Sequence, residues 1–188
     1  MANIVARSLE GFPEHAELIG DMLLGYGELE SIMVSLVALA TSTDENTAVR
    51  ILYRMRGAQN RLDVADAILR PYYIKLGLIG PYGQWIGAMR RCKLLRNQYA
   101  HCAFLDRHNA LYIADFDTAA QSTDGTANLH FARLGLDLVR EQQDYFWYTE
   151  QITYYLLRET RHRKDRRRKN PDKLPKSRPV PKLDSRPS

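Results

Sequence analysis

Arg96-Asn97-Gln98-Tyr99-Ala100-His101 lies at the end of a helix that the sequence predicts from about Pro81 to Cys102. Wound at about 100° per residue from Arg96, Ala100 falls near 40°, Asn97 near 100° and His101 near 140°. Arginine, asparagine and histidine therefore share one broad face, with a small alanine between them. Trp85, Ala88, Cys92, Leu95, Tyr99 and Cys102 fall on the opposite side. Arg90 and Lys93 join the polar face, at about 120° and about 60°. The helix thus has an apolar side suited to a core. Its other side is basic and ends in a titratable group.

Upstream, Met1 to Pro13 has no clear period and reads as a mobile lead-in, with Pro13 suited to a helix start. From about Glu14 to Ala40, Leu18, Met22, Leu29, Ile32, Leu36 and Leu39 keep a helical spacing. A second stripe of Ile19, Leu23, Tyr26, Met33 and Val37 runs beside it. Thr41-Ser42-Thr43-Asp44 is a loop in which Thr43 or Asp44 can cap the next helix. That helix is expected to reach about Arg70 along Ile51, Met55, Ala58, Leu62, Ala65 and Leu69, until Pro71 ends or kinks it. Tyr72 to Gly80 reads as a connector.

Downstream, residues 103–116 change character. They read as two short strands around a turn at Asp106 to Asn109. Asp117 to Asn128 is rich in Thr, Ser, Asp, Gly and Ala and reads as a loop. A last helix is expected from about Leu129, buried along Phe131, Leu134, Leu138, Tyr145, Ile152 and Leu156, with Gln142 and Thr149 as polar interruptions. The implied architecture is all-α: a four-helix bundle with a small β-hairpin inserted before the last helix. The expected domains are a lead-in at 1–13, a helical domain at 14–160 and a disordered, partly extended basic tail at 161–188.

Charge is unevenly placed. Arg158 to Ser188 carries thirteen Lys/Arg and four Asp/Glu, net +9, while the preceding residues are net −4. The tail, not the helical body, makes the chain basic. Such a tail can attract a polyanion, most simply nucleic acid, or simply keep the chain soluble. Cys92 and Cys102 lie on one helix at about 15 Å, too far apart for a disulfide. They read as buried apolar residues in a reducing, cytoplasmic setting. No metal-type Cys/His spacing, signal peptide or apolar run long enough to span a membrane is read from the sequence, so no cofactor or membrane partner is expected.

The Arg96, Asn97 and His101 spacing, with Ala100 before the histidine and a hairpin after it, resembles the HEPN superfamily of small helical proteins. That resemblance implies a metal-independent endoribonuclease with its site in a homodimer cleft. It also implies a toxin–antitoxin or defence setting, with an antitoxin as a possible protein partner. RNA carries its own nucleophile, the ribose 2′-OH. A histidine moves protons near neutral pH, and an arginine grips phosphate oxygens. Arg96, Asn97 and His101 are the candidate catalytic residues, and Arg90 and Lys93 the candidate RNA-binding ones. The other reading is a non-catalytic helical module that contacts RNA or a protein. There, Arg96 would bind a carboxylate, and Asn97 and His101 would close the helix end. His15, His108, His130 and His162 read as surface residues, and Tyr145 to Tyr148 as core plus interface.

Overall fold

A computed structural model describes residues 9–115, 131–165 and 172–183. Pro13 opens α1 (Pro13–Thr41), where its missing N–H is no loss because first-turn amides lack intrahelical acceptors. Both expected stripes meet the core, with Ile19, Met22, Tyr26, Leu29, Met33, Leu36 and Val37 all buried. Ser42 ends the helix in a left-handed conformation, φ 55°, and the Thr43 amide returns to the Ala38 carbonyl at 3.0 Å. By length and composition α1 is a described helix apolar enough to cross a membrane. Counting unbroken apolar runs passes over it, because Gly25, Gly27, Ser31 and Ser35 interrupt the runs without making the helix polar. More than half of that apolar window is buried inside the fold.

The single helix expected from Thr43 or Asp44 to Arg70 is two helices. Asp44 caps α2 (Glu45–Tyr53), accepting from the Thr47 amide at 3.0 Å and the Thr47 hydroxyl at 2.7 Å. The chain then breaks, and α3 (Ala58–Lys75) starts after Gly57 at φ 83°, ψ 140°. That backbone conformation is essentially open to glycine alone. The break shifts the stripe: Leu52 is fully buried while Ile51 is exposed. Pro71 does not end α3; it sits on an exposed position inside the helix. Termination falls instead at Gly77, φ 68°, where the Leu78 amide bonds the Tyr73 carbonyl and the Gly77 amide bonds that of Ile74. Tyr73 and Leu78 are both buried at this end. The expected connector shrinks accordingly, and α4 runs Ile79–His101.

β1 (Cys102–Arg107) and β2 (Ala110–Asp115) form the expected hairpin. His108 and Asn109 make its two-residue turn, both at positive φ, 53° and 58°. Paired positive φ values match the twist of the flanking strands. A third strand, β3 (Ala132–Arg133), pairs with β2 in register Tyr112↔Arg133 and Ile113↔Ala132. It occupies sequence expected to be helical. The three-residue spacing of Phe131 and Leu134 suits a helix, but the Leu134 amide bonds the Leu111 carbonyl at 2.8 Å. The last helix, α5, therefore starts at Leu136 and runs to Asp165. The loop expected at Asp117 to Asn128, the helix start at Leu129 and His130 lie outside the described residues.

The fold class is thus a helical bundle with a small antiparallel sheet before the last helix. It has five described helices rather than four, because the second expected helix is split. The described residues group into two compact units. One comprises those within Met1–Leu24, Leu94–Asp144 and Pro181–Ser188; the other Gly25–Lys93 and Tyr145–Val180.

In the second unit, three fully buried threonines on α5 meet α3 and α4. The Thr149 hydroxyl accepts from the Cys92 thiol at 3.2 Å, and that of Thr153 accepts from the Trp85 indole at 2.9 Å. Thr160 shares a 2.9 Å bond with the Tyr73 hydroxyl. Each threonine also donates to the carbonyl four residues back, so each hydroxyl is satisfied without water. In the first unit, Leu95, Tyr99, Leu105, Leu111, Ile113, Leu134 and Val139 form the core.

Candidate functional site

The apolar side of α4 and its motif residues fall largely where the two-sided pattern predicts, with Lys93 the exception. Trp85, Ala88, Cys92, Leu95 and Tyr99 are buried, while Ala100 and His101 are exposed. Arg96 and Asn97 are half-buried, and the Arg96 guanidinium Nη1 donates to Asn97 Oδ1 at 3.2 Å. That contact steers a planar guanidinium from one side. His101 is the last residue of α4 and passes the chain directly into β1. Its imidazole has no hydrogen bond among the described residues. Arg96, Asn97 and His101 belong to one compact unit, together with the hairpin.

Arg90 and Lys93 belong to the other unit and are engaged there. Arg90 Nη2 lies 3.0 Å from Asp66 Oδ2 and 3.4 Å from Asp63 Oδ1. Arg70 reaches the same Asp66 oxygen at 2.9 Å, and the Tyr82 hydroxyl donates to its other oxygen at 2.7 Å. Burial raises the Asp66 pKa, but the hydrogen bonds from Arg70 and Tyr82 and the charges of Arg70 and Arg90 outweigh it and hold the carboxyl below its ordinary value. Lys93 is a buried residue whose ammonium donates to the side-chain carbonyl of Gln59. Sequence spacing placed both cations on a solvent face, but it could not show that α3 presents Gln59, Asp63 and Asp66 to them.

The cysteines are structural in character. Burial pushes the Cys92 thiol up to about 12, against the smaller lowering effect of its bond to Thr149. It stays protonated and is a poor nucleophile. Cys102 is half-buried at the head of β1, and neither cysteine forms a disulfide among the described residues.

A polar chain that spacing alone did not reveal adjoins the motif. The buried Tyr99 hydroxyl donates to the side-chain carbonyl of Gln142 on α5. Gln142 is fully buried, and its Nε2 donates to the main-chain carbonyls of Lys182 at 2.6 Å and Leu183 at 3.0 Å. The sequence marked Gln142 as a polar interruption, which was the available signal; its partners lie 40 residues away in the tail. The described part of that tail, residues 172–183, has neither helix nor strand. Gln98, between Asn97 and Tyr99, buries both amide atoms with no hydrogen-bond partner among the described residues.

A groove of about 290 Å³ in the second unit is lined by Ser35, Asp44, Glu45, Arg161 and Lys164 among others. Its two cations face two carboxylates, so it has no net charge with which to draw a phosphate. Among the described residues, no group of three or more His, Cys, Asp and Glu side chains is placed to hold a metal ion. Comparison with known proteins finds no family model that matches the chain, and no match among curated proteins or solved structures.

Proposed function

We propose that the chain is a HEPN-like, metal-independent endoribonuclease whose site is the end of α4. The observation that carries this reading is the clustering of an exposed His101, a charged Arg96 and its partner Asn97 at the end of one helix. In the proposed reaction a histidine takes the proton from a ribose 2′-OH. The freed oxygen attacks the adjacent phosphorus, and the P–O5′ bond breaks to leave a 2′,3′-cyclic phosphate. A second histidine protonates the departing 5′ oxygen. Arg96 neutralises charge on the phosphate with paired hydrogen bonds, and Asn97 orients the guanidinium. One chain offers one motif histidine, so the reading calls for a homodimer that brings two α4 ends together. A toxin or defence role, with an antitoxin partner, belongs to the same reading.

One observation favours a second reading: His101 has no hydrogen-bond partner among the described residues to set its tautomer. An RNA- or protein-binding module without catalysis needs no oriented imidazole. Metal-free cleavage of RNA by the wild-type chain and by His101→Ala separates the two.

A further inference from the structure

We propose that residues 181–183 are a strap that Gln142 latches to the end of α4, and that docking of this strap sets how firmly the last turn of α4 is held. Gln142 has one acceptor and two amide donors, and all of them are engaged. Oε1 accepts from Tyr99, and Nε2 donates to two consecutive main-chain carbonyls, those of Lys182 and Leu183. A fully buried carboxamide that faced water in place of the strap would not be fully buried; its exposure of 0% is set by the docked chain. Pro181 is buried just ahead of these carbonyls, whereas Val180 beside it is 63% exposed. Within the strap Pro181 is the buried residue, while Lys182 is exposed and Leu183 half-buried. Residues 181–183 are neither helix nor strand, and Gln142 supplies two hydrogen bonds to their backbone.

A strap tethered to the chain it docks on meets its seat at high effective concentration and can open locally. What couples it to the motif is Tyr99, which lies between Asn97 and His101 and gives its only side-chain donor to the same amide. With the strap in place the Gln142 amide is held at both ends and Tyr99 is pinned. With the strap released, Gln142 can rotate toward water and the last turn of α4 loses a tertiary anchor. The motif reading enters only in what the held turn would do; docking itself stands on the contacts above.

The test uses the full chain as wild type, Pro181→Asp and Tyr99→Phe. Pro181→Asp burdens only the strap, since position 181 is outside the helices and sheet. Two quantities are read: tryptic cleavage at Lys182–Leu183, whose carbonyl is one of the two Gln142 holds, and amide exchange across the end of α4, with α3 as the control for an intact fold. Wild type is expected to resist cleavage there. Pro181→Asp should speed cleavage at Lys182 and exchange at the end of α4, each by about tenfold, with α3 unchanged. Tyr99→Phe should keep Lys182 protected while the end of α4 exchanges faster. Equal cleavage of wild type and Pro181→Asp overturns docking. Unchanged exchange of α4 in either variant overturns the coupling. Neither readout involves RNA, so a failure of the ribonuclease reading would show elsewhere.

Discussion

The indole N–H of Trp85 on α4 donates to the Thr153 hydroxyl of α5 at 2.9 Å, with both side chains at 0% exposure. Replacing Thr153 with valine keeps the shape and strands the indole N–H in a dry core. The expected cost is about 1–3 kcal/mol in denaturant unfolding. In a double-mutant cycle with Trp85→Phe, part of that penalty should vanish, because the stranded donor is gone. The coupling should be about 1 kcal/mol. Strictly additive losses would mean that the bond contributes nothing.

Asp66 ties α3 to α4, and its folded pKa is below the ordinary value because Arg70, Tyr82 and Arg90 favour the carboxylate. A lowered folded pKa gives stability that is present above the ordinary Asp value and is lost as pH falls through the folded one. Asp66→Asn is therefore expected to be destabilising at pH 6, by about 2 kcal/mol given the partly exposed arginines. The gap between variant and wild type should narrow as pH is lowered below about 4. A gap that holds constant down to pH 2 would remove the electrostatic account.

Gly57 stands at φ 83°, ψ 140° between α2 and α3. Among the described residues beyond its two chain neighbours, nothing lies within 4 Å of where a Cβ would stand, so crowding plays no part. Strain alone should make Gly57→Ala destabilising by about 1–3 kcal/mol. The measurement is the shift of the unfolding midpoint. An unchanged midpoint would show that the α2–α3 break relaxes without cost.

Much of the fold follows from local signals that agree with one another. The stripes of α1, the cap at Asp44 and the hairpin after His101 were legible because each rests on residues a few positions apart. The misses have a different cause. Pro71 suggested a helix end, yet one lost amide bond did not stop α3, and the αL glycine at position 77 did. Phe131 and Leu134 kept a helical spacing, but a distant strand claimed the backbone of that stretch. The exposed and half-buried placement of His101, Arg96 and Asn97 could be read from helical spacing. The partners of Arg90, Lys93 and Gln142 could not, because they are supplied by other elements.

We propose that the end of α4 cleaves RNA without a metal. The direct measurement is incubation of a mixed RNA pool with pure protein in EDTA, alongside His101→Ala and Arg96→Ala. His101 is exposed, so its loss should leave the fold intact, as circular dichroism would confirm. The account expects wild type to produce 2′,3′-cyclic phosphate ends and each variant to lose about a hundredfold or more in rate. Cleavage by His101→Ala at the wild-type rate, or an RNA pool left whole by the wild-type chain, would contradict it.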